Sequence, residues 1–162
     1  MNHGIYLDSN IEKGTPTDFC IGVAGYPEKH FEAPNFATDI EYLKQKIDAG
    51  ASYIVTQMFF DNANFFKFRD ACEKSGINVP IVPGLKPITK KYQLNSIPRK
   101  FFINYPEDLV SELQRTEDKD VKQLGIEWCI NQCKELKASG VPCLHLYTMG
   151  DVDTTYKIVE KL

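Results

Sequence analysis

No stretch of the 162 residues approaches the roughly 20 consecutive apolar residues that span a bilayer. The opening Met1-Asn2-His3-Gly4 has neither the basic block nor the apolar block of a secretory signal, so the cytoplasm is the expected compartment. The five cysteines (Cys20, Cys72, Cys129, Cys133 and Cys143) are odd in number and contain no C-x-x-C. That speaks against both a disulfide framework and a zinc ribbon. Positive charge is not in excess: the formal net charge is -3, and the one local cluster, Lys86, Lys90 and Lys91, is short. The chain therefore has no electrostatic footprint for nucleic acid. Also missing are a G-x-G-x-x-G after a strand, a G-x-x-x-x-G-K-[ST] phosphate loop and a G-x-S-x-G elbow, so any bound nucleotide is held without those devices. With no repeat and no low-complexity linker, a single domain is expected over residues 1–162, long enough for a sizeable core.

What is present is a short apolar run followed by an amphipathic stretch, four times over. The runs at 20–26, 53–60, 79–85 and 143–149 are nearly continuous, as in strands of a parallel sheet buried on both faces. Between them, Ile40, Leu43 and Ile47 in 38–49, and Phe65, Phe68 and Cys72 in 62–74, recur at helical spacing. Gly50 and Gly76 are expected to stop these helices, and Asp61 to cap the second. Pro106, with Glu107 and Asp108 behind it, predicts a short helix with proline at its first position. A further helix over 120–139 carries Val121, Leu124 and Trp128 on one stripe and ends at Gly140, and a last one starts near Asp153. Alternating strands and helices predict an α/β fold with right-handed crossovers. The connection from Lys86 to Pro142 is too long for one crossover, so an extra helical excursion, broken at Pro98 and Pro106, is expected there.

Polar residues gather where the strands end: Tyr26, Glu28 and His30, then Gln57, Lys86 and Thr148. Parallel α/β sheets and barrels bind ligands at that edge. Each residue also has a plainer reading. Tyr26 and His30 can flank a planar cofactor, but a loop with a surface histidine is the simpler account. Asp39, Tyr42 and Lys46 share a helical stripe, with Asp39 and Lys46 about 10 Å apart along the axis, so each needs a partner other than the other. Solvent is the usual one, a long ligand the alternative. Gln57 interrupts an apolar strand and binds either ligand or loop backbone. His145 reads as a satisfied core histidine. Cys129 and Cys133, one turn apart, can hold a metal, yet small buried residues are the commoner use, and no metal is expected.

Taken in order, Gly22-Val23-Ala24-Gly25-Tyr26-Pro27-Glu28-Lys29-His30, Lys46-Ile47-Asp48-Ala49-Gly50-Ala51, Ile54-Val55-Thr56-Gln57-Met58-Phe59-Phe60-Asp61, Ile81-Val82-Pro83-Gly84-Leu85-Lys86-Pro87-Ile88 and His145-Leu146-Tyr147-Thr148-Met149 resemble the methylenetetrahydrofolate reductase family, over nearly the whole chain. The resemblance implies a (β/α)8 barrel of which this chain supplies about four βα units, the fifth to eighth, with residues 1–19 as a lead-in loop and the N-terminal half absent. It implies non-covalent FAD at the C-terminal face, NADH or NADPH as reductant, and conversion of 5,10-methylenetetrahydrofolate to 5-methyltetrahydrofolate in one-carbon and methionine metabolism. By position, Tyr26, His30, Ala33, Asp39 and Lys46 match FAD-contacting residues of the family, and Gln57 and Gln93 match folate-contacting ones. This revises the reading of the charged stripe, since FAD would be the long partner of Asp39 and Lys46.

There are departures. Tyr42 and Gln45 stand where some relatives offer asparagine and arginine to FAD, Ile97 replaces an aromatic that packs on the folate, and Asp151 replaces an arginine. The general-acid glutamate of the family lies on its first strand, outside this chain. The expected consequence is a fragment inactive alone, completed by the missing half. The alternative is a non-catalytic half-barrel that self-associates or binds a partner. An aldolase-like barrel, with Lys86 as its lysine, is a weaker third reading.

Overall fold

In the computed structural model, residues 3–5, 10 and 14–162 are described, so part of the expected lead-in loop, residues 1–19, lies outside them. The chain runs β1 (Gly22–Gly25), α1 (Phe36–Asp48), β2 (Tyr53–Thr56), α2 (Asn62–Lys74), β3 (Ile81–Val82), β4 (Gly84–Leu85), α3 (Gln93–Phe101), α4 (Glu107–Arg115), α5 (Val121–Ala138), β5 (His145–Leu146) and α6 (Val152–Val159). All pairings are parallel: β1 with β2, β2 with β3, and β4 with β5. Strand neighbours follow chain order, the arrangement that successive βαβ units produce. The fold is α/β with parallel sheets and six helices among the described residues. None of those helices is long and apolar enough to cross a membrane.

The third apolar run departs from expectation. It divides at Pro83 into β3, bonded to β2, and β4, bonded to β5. Proline brings no N–H to a ladder. Its carbonyl accepts from His145 N at 3.0 Å, while the next amide, Gly84 N, goes to Thr56 Oγ1 at 2.9 Å. One continuous run thus serves two neighbours in succession.

Local signals explain most helix ends. Asn35 Oδ1 accepts from Thr38 N and Asp61 Oδ1 from Ala63 N, capping α1 and α2 at 2.9 Å each. Gly50, Gly76 and Gly140 take positive φ just past α1, α2 and α5, where an L-residue would be strained. Pro106 is the N-cap of α4 and not its first residue, with ψ of 146°. Pro98 does not break the excursion but sits inside α3. Its fixed φ suits a helix, buried Ile97 anchors the turn before it, and Phe102 N closes the helix on the Pro98 carbonyl at 2.9 Å.

Two apolar clusters form the core. One lies between β1–β5 and helices α1, α2, α5 and α6, and includes Ile54, Phe65, Phe68, Leu136 and Ile158. The other joins Met58, Phe60, Ile88 and Ile97 to α4 and the start of α5. Helix α5 serves both. Ile126, Cys129 and Cys133 face the first, while Val121, Leu124 and Trp128 pack on the second. The Cys129–Cys133 pair is fully buried among these side chains, which accounts for it as core.

Candidate functional site

The loop leaving β1 is held by its own side chains. Lys29 has φ of 99° and turns its ammonium inward to the carbonyls of His30 and Ala33 at 2.9 and 2.7 Å. Asp39, in the first turn of α1, accepts from His30 N at 2.8 Å. The sequence reading left Asp39 to solvent or a ligand; its Oδ2 is instead taken by the loop backbone nine residues earlier. The His30 ring stands edge-on to Tyr26 with centroids 4.5 Å apart, and Ala33 is buried beneath the loop. Partial burial, then the negative charges of Asp39 and Glu32, raise the Tyr26 hydroxyl above its ordinary pKa, so it is a neutral donor. Tyr26, His30, Ala33 and Asp39 therefore form one cluster. Lys46 lies two turns further along α1, exposed and without a polar partner among the described residues.

Gln57 follows β2. Its backbone N–H extends the ladder to Gly25 O at 2.8 Å, and its Oε1 accepts from Met58 N at 3.0 Å. The amide nitrogen remains, half-buried, as a donor at the sheet edge. Gln57 and Tyr26 share a narrow cleft with Phe101, Phe102 and Ile103. Glu28 lies in the same cleft, where its Oε2 accepts from both Asn104 N and Asn104 Nδ2 at 2.7 and 2.6 Å. Its Oε1 is buried without a partner. Burial pushes this carboxyl above the usual range against the pull of the Asn104 bonds. The Glu28–Asn104 contact and the stacked pair Phe31–Phe102, centroids 4.5 Å apart, fasten the β1 loop to the end of α3. Glu28 was visible in the sequence as a strand-end acid, but nothing there signalled Asn104, 76 residues away.

Gln93 occupies a different place. Its Oε1 accepts from Thr89 N at 2.7 Å and Lys90 N at 3.0 Å, which fixes the amide with its nitrogen free. It lines a cavity of about 260 Å³ with Lys86, Lys90, Thr148, Asp151 and Thr155. Asp151 N-caps α6, accepting from Thr154 N at 3.1 Å and Thr154 Oγ1 at 2.7 Å, and pairs with Lys122 at 3.2 Å. The Thr154 bonds first, and Lys122 after them, hold its carboxyl at about 2. Lys86, half-buried at the end of β4, is lowered by burial, with Asp151 opposing. Gln57 and Gln93 thus border separate clefts on the same edge. Ile97 is in the core beside Met58 and Phe60, not presented to the cavity. A larger hollow of about 350 Å³ between α2, α4 and α5 is lined by none of the cofactor- or folate-binding residues expected from sequence.

His145 departs from its expected burial. It is exposed, edge-on to Tyr147 at 4.5 Å, on the side of β5 opposite Leu144 and Leu146. Those leucines pack on the first cluster, whereas the face carrying Ala24, Cys143 and His145 is open to solvent. Tyr147 Oη crosses to Thr56 O at 2.9 Å over Gly84. A Cβ at Gly84 would stand 2.3 Å from that carbonyl oxygen and 2.7 Å from the Tyr147 ring, so the crossing needs glycine.

Residues 7–162 match the methylenetetrahydrofolate reductase family model. The chain belongs to that family. It is 37% identical over 147 residues to a probable methylenetetrahydrofolate reductase (NADPH) of Caenorhabditis elegans, covering 89% of this chain and 22% of that one. It is 42% identical over 149 residues to methylenetetrahydrofolate reductase 2 of Saccharomyces cerevisiae (89% and 25%). It is 37% identical over 147 residues to 5,10-methylenetetrahydrofolate reductase of Buchnera aphidicola (90% and 50%). The chain thus spans half or less of the length of these relatives. Among solved structures, an uncharacterized Clostridium thermocellum protein that binds two copies of 5-methyl-5,6,7,8-tetrahydrofolic acid shares the fold. The TM-score is 0.57 at 18% identity, over 89% of this chain and 52% of that one.

Proposed function

We propose that this chain contributes the flavin cradle and part of the folate pocket of an FAD-dependent 5,10-methylenetetrahydrofolate reductase that uses NADH or NADPH. The observation that carries the reading is the Tyr26–His30–Asp39 cluster beside Gln57 at the C-terminal edge, in a member of the reductase family. When bound, FAD would take a hydride from the nicotinamide nucleotide and deliver it to the folate.

The residues present fit such a group. Tyr26 and His30 offer an aromatic wall. Asp39 keeps an acceptor oxygen beyond the one that holds the loop, and Lys46, about 10 Å along the helix, the separation a long dianionic cofactor spans, has no side-chain partner among the described residues. Ala33 is buried under the loop. Gln57, its oxygen committed to Met58, would donate its amide hydrogens to the folate ring, and Gln93, oriented by Thr89 and Lys90, would donate to a more distal part of the same folate in the neighbouring cavity. The one described carboxylate in the cleft, Glu28, is anchored through Oε2 to Asn104, with its Oε1 buried. The general acid belongs to the family's first strand, and the open face with Ala24, Cys143 and His145 is where the first four βα units of a (β/α)8 barrel would pack.

The test uses the complete natural protein and the 162-residue chain side by side. The complete protein should purify with flavin absorbance and oxidise NADH or NADPH when 5,10-methylenetetrahydrofolate is supplied. The chain alone should retain no flavin. Flavin-independent turnover, or stoichiometric flavin on the isolated chain, would overturn this account. The second reading, a non-catalytic half-barrel, is favoured by the same open face, and a stable self-associated chain without flavin in the complete protein would establish it.

A further inference from the structure

The charged groups lining the 260 Å³ cavity at the end of β4 are two cations, Lys86 and Lys90, and one carboxylate, Asp151. Gln93 Oε1 is consumed by Thr89 N and Lys90 N, so the amide shows its NH₂ to the space. The one carboxylate in the lining, Asp151, is consumed as well. Both of its oxygens accept from Thr154, and Lys122 approaches from outside the cavity at 3.2 Å. Lys86 is the counterpart without a partner. It is half-buried and makes no hydrogen bond or ion pair among the described residues, although Asp151 is near enough to favour its charge. An ammonium partly removed from water and left unpaired is costly, and a ligand carboxylate would recover that cost. Lys90 adds a second, exposed cation at the rim.

We propose that Lys86 is a specificity-determining residue that anchors an anionic carboxylate tail in this cavity. Resting on the folate reading of the same edge, the tail is the glutamate of the folate. Lys86 then supplies a cation in a cavity whose residue 151 is an acid, and it does so from β4, whereas Asp151 is fixed as the cap of α6. Lys86 touches the tail and no reacting atom, so it governs binding and not the chemical step.

The experiment compares two ligands on the complete natural protein by calorimetry. One is 5-methyltetrahydrofolate. The other is the same pterin–benzoyl unit with a neutral N-methylamide in place of glutamate. The natural protein should prefer the glutamate form by roughly tenfold or more, the size of a charge-assisted hydrogen bond. Lys86→Met should erase that preference while binding the methylamide unchanged, which also certifies its folding. Lys86→Arg should retain most of it. Where the reductase turns over, Lys86→Met should raise KM for the folate and leave kcat in place. Equal weakening of both ligands, no change in either, or an equal loss from Lys90→Met would overturn the assignment. If neither ligand binds the natural protein, this inference and the folate reading fall together. Lys86-dependent binding without hydride transfer would sink the reductase reading alone.

Discussion

Gly125 offers a test in which two physical effects have opposite signs. It is buried in the second turn of α5, and on helix propensity alone Gly125→Ala should stabilise the protein by about 1 kcal/mol. The packing says otherwise. A Cβ at this position would lie 1.8 Å from the Ile88 carbonyl oxygen, 2.7 Å from its carbon and 3.0 Å from its nitrogen. The obstacle is backbone, so no side-chain rotation relieves it, and α5 must retreat by more than about 1 Å from the segment that follows β4. Overpacking of a well-filled core costs about 1–3 kcal/mol, and a backbone-on-backbone clash belongs at or above the top of that range. Subtracting the propensity gain leaves a net loss of about 2 kcal/mol. For a domain of this size, that lowers Tm by roughly 4–8 °C. Differential scanning fluorimetry and urea unfolding read the change directly. A Gly125→Ala variant as stable as the parent, or more so, would refute the claim that close approach to Ile88 is why glycine stands there.

Two further substitutions probe the site's electrostatics. Glu28→Gln keeps an acceptor for the Asn104 donors while removing a buried charge, so it should be as stable as the parent or more stable at pH 7, whereas Glu28→Ala should lose about 1–3 kcal/mol. Because the folded Glu28 pKa is raised, its protonated form favours the native state; the parent should lose stability relative to Glu28→Gln as pH rises through the folded pKa, and equal pH profiles would contradict this. Asp151→Ala should cost about 1 kcal/mol at neutral pH through loss of the α6 cap. Its folded pKa, about 2, lies below the ordinary carboxylate value, so this contribution holds above about pH 4 and disappears as pH falls toward 2; a deficit unchanged at pH 2 in chemical unfolding would show that the cap is not ionic.

The elements were legible where the deciding forces are local. Asp61, Gly50, Gly76 and Gly140 mark helix ends because a cap bond or a positive φ involves residues a few positions apart. Nearly continuous apolar runs gave the parallel strands. Pro83 was visible as a proline, but its effect depends on which strands flank it, and that is decided 62 residues later by His145. His145 itself was misjudged for the same reason. Alternation assigns it correctly to the face opposite Leu144 and Leu146, but whether that face is covered is settled by other segments. Gly125 carries no local signal, because its meaning lies in the Ile88 backbone. For the site, the strand-end positions of Tyr26, Gln57 and Lys86 followed from topology. Their grouping into two clefts did not, since the walls come from α3 and α6.

That division has a consequence for how the polar residues of the edge share their work. A group whose hydrogen bonds are already made within the chain has little interaction energy left for a ligand, whereas a partly desolvated group without a partner retains most of it. Asp39, Glu28, Lys29 and Asp151 belong largely to the first kind: each spends its charge on backbone or a cap, and each shapes a loop or helix end. Lys86 and the amide nitrogens of Gln57 and Gln93 belong to the second. Among these edge residues the uncommitted groups are mostly donors, Glu28 Oε1 and the second oxygen of Asp39 being the exceptions. The committed acids keep the surface from being uniformly cationic, yet they offer a ligand little to repel. An edge built this way favours anions with spaced acceptor groups. The chemistry of the ligand is therefore encoded less in which residues are charged than in which charges the fold has left unspent.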